Sequence, residues 1–286
     1  MANQPVSQMR ELDRIPTPLA IVGAGRLGTA LAAALRATGL EIDGPLGRGA
    51  APRGAGAVLL CVPDGEIVAA AAAIAPGVPV GHCSGATGLD ALAGHEAFAF
   101  HPLMTVPHDR EAVKTASRAP RGRSPEEGLP RRNAGVPTAA EGVKARRVFE
   151  GAGAAVAGST PRALAIAEEL AARLGMRTTT VADEDRAAYH AAASIASNLL
   201  TTLEGAAERL AATAGVDREL LAPLVRASVE NWVRLGAERA MTGPIARGDD
   251  GTVERHRVAI ADRAPDLLPM YDALVDATRA LLGAPR

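Results

Sequence analysis

Hydrophobic and polar positions alternate along the first two-thirds of the chain in the manner of strands and helices taken in turn. TPLAIVGAGRLGTALAAALRATGL reads as a short apolar strand, a tight glycine turn and an Ala/Leu-rich helix. A weaker apolar stretch near Leu40 to Leu46 predicts a second strand. AGAVLLCVP, residues 55–63, is a continuous apolar run bounded by turn residues, the pattern of a strand buried on both faces of a parallel sheet. EIVAAAAAIA then predicts a helix, VPVGHCSG and FAFHPLM two more strands, and GAAVAGS another. PRALAIAEELAARLG predicts a helix with Pro161 at its start and Gly175 at its end, and RTTTVA a short last strand. Alternation of this kind implies an α/β fold, a Rossmann doubly wound, mostly parallel sheet.

From Asp183 the pattern changes. DEDRAAYHAAASIASNLLTTLEGAAERLAATAG predicts one long helix with acidic residues in its first turn, and further helices are expected over 217–240 and 252–282. No strand signal remains, so an all-helical C-terminal domain follows the sheet. The expected division is a flexible leader over 1–16, a dinucleotide-binding domain over 17–182 and a helical substrate and dimerisation domain over 183–286. Residues 107–147 interrupt the first domain with RAPRGRSPEEGLPRRNAGVP, whose density of Pro, Gly, Arg and Ser predicts a disordered insertion.

Composition narrows the function classes. With 286 residues and 48% apolar content the chain can build a substantial core, but aromatics are only 2%, so Ala, Val and Leu must supply it. The formal net charge of -1 gives no general attraction to nucleic acid or to an anionic membrane. Two cysteines, Cys61 and Cys83, make neither a disulfide framework nor a metal-ligand spacing. The polar N-terminus and the lack of a long apolar run suggest a cytoplasmic protein without a membrane span. Lysine occurs only at Lys114 and Lys144, which restricts any lysine-based chemistry to those two places.

GAGRLG places Gly23, Gly25 and Gly28 in G-x-G-x-x-G spacing, after a strand and at the opening of a helix. Gly23 permits the turn, Gly25 lets the backbone approach a pyrophosphate, and Gly28 lets helix and strand pack closely. Arg26 and Leu27 lie within the turn. NAD binders carry an acid about 20 residues further on; here the position falls on Arg48, whose planar fork suits a 2′-phosphate. NADP(H) is therefore expected over NAD(H). Asp43 lies nearby, within the predicted second strand.

Open α/β sheets bind ligands beyond the carboxyl ends of their strands. Val62 and Pro63 are expected to line the cofactor crevice. Ser84 and Gly85 offer a hydroxyl and a backbone N–H to a substrate carboxylate, and His82 and His101 sit at strand ends, His101 being the stronger candidate for a substrate oxygen. On the long helix His190, Ser194, Ser197, Asn198 and Thr201 fall on one face at helical spacing, with Ile195, Leu199 and Leu203 opposite. That stripe is expected to face the strand ends that carry Gly25, Pro63 and Ser84. A third polar group, Thr242, Arg247, Asp249 and His256, occupies a Gly/Pro-rich turn before a helix whose expected N-cap is Thr252.

As a set, GAGRLGTAL, CVPD, HCSG followed by HPL, AVAGS, YHAAASIASN and TGPIARGD resemble the bacterial Rossmann-like NADP oxidoreductases that carry an uncharacterised C-terminal helical domain, over nearly the whole chain except 107–147. Those are distant relatives of ketopantoate reductase, pyrroline-5-carboxylate reductase and the β-hydroxyacid dehydrogenases, and their helical domain resembles the C-terminal domain of 6-phosphogluconate dehydrogenase. The resemblance implies fold, cofactor and a homodimer, not a substrate. HPL is also similar to the His-Pro-Met segment of prephenate dehydrogenases. The β-hydroxyacid dehydrogenases and ketopantoate reductases use a helical lysine as acid/base; the long helix here has none, and His190 stands where a proton donor is useful. The expectation is an NADP(H)-dependent oxidoreductase acting on a small carbonyl or imine substrate that bears a carboxylate, with His190 or His101 as proton donor and Asn198 and Ser84 orienting the substrate. The alternative is a non-catalytic dinucleotide sensor that presents its helical domain to a partner.

Overall fold

The computed structural model describes residues 15–47, 49–106 and 146–283. The expectations for Arg48, for the leader up to residue 14 and for 107–145 of the insertion lie outside the described residues. The chain falls into two compact units, the first ending at Ala193 and the second beginning at Ser194.

The first unit is built on the apolar runs. Strands β1 (Leu19–Val22) and β3 (Ala57–Leu60) are buried at every position. Because successive side chains of a strand point to opposite faces, each strand feeds two cores. Leu19, Ile21, Ala57 and Leu59 pack with Leu31 and Leu35 of helix α1 (Arg26–Arg36). Ala20, Val22, Val58 and Leu60 pack with Ile67 and Ala71 of helix α2 (Ile67–Ala72), on the other face. Covering both faces is what makes all-apolar strands stable in a parallel sheet.

Strands β2 (Ile42–Leu46), β4 (Val80–His82), β5 (Ala97–Leu103), β6 (Gly153–Gly158) and β7 (Arg177–Thr180) complete a seven-stranded sheet ordered β2-β1-β3-β4-β5-β6-β7. The pairs among β1 to β5 are parallel, β6 pairs antiparallel to β5, and β7 is parallel to β6. The doubly wound, mostly parallel sheet is thus as expected. From β1 the chain goes to β2 on one side and then crosses to β3 on the other. The carboxyl ends of β1 and β3 therefore flank a topological switch point. Helix α3 (Pro161–Arg173) covers β5 and β6, with Pro161 in its first turn and the Thr160 hydroxyl accepting the Ala163 N–H at 3.1 Å.

The helix expected from Asp183 is not one regular helix. A 3-10 turn (Asp183–Asp185) leads into α4 (Arg186–Ser194), a π turn spans Ile195–Leu199, and α5 (Leu200–Ala212) continues. The Leu200 N–H reaches back to the Ile195 carbonyl. The Thr201 and Thr202 hydroxyls donate to the Ser197 and Asn198 carbonyls at 3.0 and 3.2 Å. An expanded turn disturbs the i→i−4 ladder, and these hydroxyls supply donors where it is disturbed. One added residue rotates the later turns of the helix by about 100° relative to the earlier ones. The polar stripe drawn at regular spacing from His190 to Asn198 and Thr201 therefore does not continue as one face.

The second unit holds α5, α6 (Arg218–Leu235), α7 (Ala237–Ala240), α8 (Asp250–Arg263) and α9 (Leu268–Leu281), with no strand among its described residues. Arg257 of α8 makes a two-pronged ion pair with Asp272 of α9 at 2.8 and 3.1 Å, and His256 Nδ1 lies 3.0 Å from the Tyr271 hydroxyl. The N-cap of α8 is Asp249, not Thr252. Its carboxylate accepts the Thr252 N–H at 2.9 Å and the Thr252 hydroxyl at 2.6 Å, which holds the acid below its usual pKa. Both residue types cap well. The left-handed Gly248 directly before Asp249 turns the chain there and sets which one is used.

Candidate functional site

The glycine turn sits at the switch point. Gly23 follows β1 at φ +115°, and a Cβ there would lie 2.3 Å from the Cys61 carbonyl oxygen. Gly28, inside α1, would carry its Cβ 1.9 Å from the Gly23 carbonyl oxygen. Both must lack a side chain for α1 to lie this close to β1 and β3. Gly25 differs: at the N-cap of α1, a Cβ on it would meet nothing within 4 Å. Its backbone is exposed beside the first N–H groups of α1, the donors a pyrophosphate takes. Arg26 is exposed at the same end, while Leu27 is half-buried against the first core. Beyond β3, the Cys61 N–H donates to the Val22 carbonyl at 2.7 Å; Val62 is half-buried, and Pro63 is exposed. These residues fit a dinucleotide, which when bound supplies hydride chemistry. Asp43 lies in β2, as expected.

Beyond β4 the chain makes a closed loop. The Ser84 hydroxyl donates to Asp64 at 2.8 Å, accepts the Ala86 and Thr87 N–H groups at 3.2 and 2.9 Å, and lies 2.9 Å from the Thr87 hydroxyl. Its hydrogen-bonding capacity is spent inside the loop. His82 is fully buried, its Nδ1 taking the Ser84 N–H at 3.2 Å and its Nε2 lying 3.2 Å from the Gly88 carbonyl. That pairing fixes the neutral ring with its proton on Nε2. Burial accordingly pulls its pKa down. His82 holds the loop, its one ring proton committed to the Gly88 carbonyl.

Gly85 is set by this loop directly under two imidazoles. A Cβ there would come within 2.8 Å of His101 Cε1 and 2.9 Å of His190 Cδ2. His101, on β5, and His190, on α4, have ring centroids 6.2 Å apart at 67°. His101 Nδ1 lies 2.8 Å from the Tyr189 hydroxyl, the rings edge to face at 5.6 Å and 88°. Burial, reinforced by His190 and Arg186, drives His101 down to about 4, so its ring is neutral at neutral pH. Tyr189 is moved up by burial and eased back by Arg186. Arg186 is 2% exposed, its Nε donating to Asp183 at 2.6 Å.

The structure thus brings His101 and His190 together in the first unit, beside the loop of Ser84. Ser194 and Asn198 belong to the second unit. The sequence alone gives no role to Tyr189, Arg186 or Asp64, although Asp64 stands at a strand end in CVPD. Tyr189 adjoins His190 and is one of only two tyrosines, which was the available signal.

The buried imidazoles make stability depend on pH. In the unfolded chain His82 and His101 take up protons near 6.5; folded, they resist until lower pH, about 4 for His101. The unfolded state therefore binds more protons as pH falls from 6.5 towards 4, and stability declines through that window. Denaturant midpoints measured across it should fall less steeply in His101→Gln than in wild type; parallel curves would contradict the burial of that ring.

Residues 153–278 match the family model described as a domain of unknown function, DUF2520. No curated protein matches the chain. Among solved structures, a Bacteroides fragilis protein described as an NADP oxidoreductase is similar at TM-score 0.69 and 17% identity, over 94% of this chain and 99% of its own. A Thermotoga maritima protein follows at TM-score 0.66 and 21% identity, over 93% and 98%. The Plasmodium falciparum pyrroline carboxylate reductase, solved with NADP bound, is similar at TM-score 0.51 and 10% identity, over 92% and 99%. The resemblance drawn from the motifs holds at the level of fold: this chain shares a Rossmann-like fold with these structures, with a largely helical C-terminal region and the DUF2520 match over residues 153–278.

Proposed function

We propose that the protein is an NADP(H)-dependent oxidoreductase acting on a small carbonyl or imine substrate that carries a carboxylate. The observation that carries this reading is Gly25: an open backbone position at the N-terminus of α1, held at the switch point by two glycines that have no room for a side chain. Fold likeness to a protein described as an NADP oxidoreductase, and to an NADP-bound reductase of pyrroline carboxylate, supports it. Pyrroline carboxylate is itself a cyclic imine bearing a carboxylate. In this reading residues 17–182 hold the dinucleotide, and 183–286 serve substrate binding and homodimer formation. The site proton comes from the cluster around His101 and His190. Ser84 acts through the loop that sets Gly85 under the imidazoles.

NADPH oxidation followed against a panel of 2-oxo acids and cyclic imine carboxylates tests the reading. Turnover of a panel member supports it. Tight NADPH binding with no turnover anywhere on the panel selects the sensor alternative. Cofactor preference is a separate expectation, resting on the sequence position of Arg48. A charge-assisted contact to the 2′-phosphate contributes about 1.5–3 kcal/mol, so NADPH should bind roughly tenfold to a hundredfold tighter than NADH. Arg48→Ala should erase most of that ratio. Equal affinities in wild type, or an unaltered ratio in the variant, would remove Arg48 from the cofactor site.

A further inference from the structure

Reduction of a carbonyl or imine leaves a lone pair on oxygen or nitrogen that must be protonated. His101 and His82 are badly matched to that task. His101 is neutral at neutral pH because its surroundings disfavour the charged ring. A neutral imidazole N–H is a far weaker acid than a phenol, so beside a phenol it is the poorer proton donor. His82, its two nitrogens committed to the loop, offers nothing.

Tyr189 is the better-placed acid: burial moves its phenol up, but a phenol still gives up its proton more readily than a neutral imidazole. Its hydroxyl is 2.8 Å from His101 Nδ1, and the imidazole stands edge-on to the phenol. Three residues earlier on α4, so on the same side of the helix, Arg186 carries a permanent positive charge that is 2% exposed. Its partner Asp183 is half exposed, so solvent weakens the neutralising carboxylate more than it weakens the guanidinium. The groups acting on His101 from the surrounding elements are His190 and Arg186 on α4, Asp64 after β3, and His82 on β4. A fixed cation here works in one consistent direction: it opposes an imidazolium and favours a phenolate.

We propose that Tyr189 is the acid–base residue of the site, with His101 Nδ1–H as the hydrogen-bond donor that holds its phenolate and Arg186 as the fixed charge beside it. The proposal rests on the oxidoreductase reading. When the substrate's double bond accepts hydride at carbon, the Tyr189 Oη–H bond breaks and the proton passes to the substrate oxygen or nitrogen. The phenolate accepts the His101 Nδ1–H, and one proton from solvent restores the phenol. In the oxidative direction the phenolate removes the same proton. His101 is then a positioning residue, and Gly85 is glycine because both rings occupy the space of its side chain.

The chain has two tyrosines, so Tyr271→Phe leaves Tyr189 as the only phenol, and its ionisation can be read by ultraviolet absorbance with no substrate present. In that background His101→Phe should raise the Tyr189 pKa by about one unit or more, the effect of losing a hydrogen bond to the phenolate. An unmoved titration overturns the proposal. In parallel, Tyr189→Phe should keep the NADPH Kd within about twofold, which also shows that it folds. Its kcat on the best substrate of the panel should drop roughly 100-fold or more, and the alkaline limb of the pH profile should disappear. A Tyr189→Phe enzyme that retains wild-type kcat and that limb overturns the proposal while leaving the oxidoreductase reading intact. Failure of the wild type to bind NADPH overturns the oxidoreductase reading instead, and the phenol titration still decides the His101–Tyr189 pairing.

Discussion

Gly25→Val is expected to leave the fold standing and to abolish NADPH binding, whereas Gly28→Ala should damage both. Position 25 has φ −76° and ψ −175°, which any residue adopts, and open space where the side chain would go. The stability change should therefore stay within about 1 kcal/mol, the usual cost of changing an N-cap glycine. The same branched side chain would stand where the pyrophosphate must approach the first N–H groups of α1, and the affinity loss should exceed about a hundredfold, since both the close contact and the backbone hydrogen bonds are lost. At position 28 a single methyl group would have to share space with the Gly23 carbonyl oxygen at 1.9 Å. Only displacement of α1 from β1 relieves that clash. Since Leu31 and Leu35 of the same helix are fully buried against Leu19 and Ile21, the displacement opens the core. A loss of about 2–5 kcal/mol is expected, comparable to a large-to-small core substitution. Thermal unfolding and NADPH titration of both variants separate the two roles. Undiminished NADPH binding in a well-folded Gly25→Val would show that the ligand does not lie over this turn.

The elements of the sheet were legible because their signals are local. A run such as AVLL between turn residues has few other uses, and G-x-G-x-x-G between strand and helix fixes which end of the sheet matters. The direction of the last two strands was not legible from pattern: β7, RTTT, is exposed at all four positions and carries no burial signal at all. Nor does hydrophobic periodicity register a π turn, because the inserted residue changes the phase without changing composition. The stripe from His190 to Asn198 was drawn on regular spacing and lost its continuity there. Tyr189 was missed for a different reason. An aromatic residue in an Ala-rich helix reads as packing, and only the 2.8 Å contact with His101, 88 positions earlier in the chain, gives it chemistry. Ser84 shows the converse. A serine at a strand end reads as a ligand for substrate, but its oxygen is engaged by Asp64 and by two backbone N–H groups of its own loop.

Sedimentation at micromolar concentration should give a particle of twice the 29.2 kDa chain mass, and Leu220→Glu combined with Leu224→Glu should return it to the monomer. The second unit leaves much of its apolar surface uncovered. Its buried apolar residues, among those described, are Val253, Ile260, Ala264 and Val275. Burying one such side chain contributes about 1.5–3 kcal/mol, while ordering each residue of backbone costs about 1–2 kcal/mol. Four side chains cannot support helices of this number and length. Helix α6 is the extreme case, eighteen residues with none buried, although Leu220 is 70% exposed, Val233 65% and Trp232 56%. A second copy is the occupant that suits this surface, because α6 carries both signs of charge along its length: Arg218, Arg226 and Arg234 with Glu219 and Glu230. Two copies related by a two-fold axis perpendicular to α6 place the helix antiparallel to itself, which brings Glu219 of one copy towards Arg234 of the other while the leucines are covered. Glutamates at 220 and 224 would put four carboxylates into that contact and should weaken association by about a thousandfold or more, with a fall in thermal stability because the exposed helices lose their cover. A wild type that sediments as a monomer at those concentrations, or a double variant that remains dimeric, would show that something other than a second copy packs against α6.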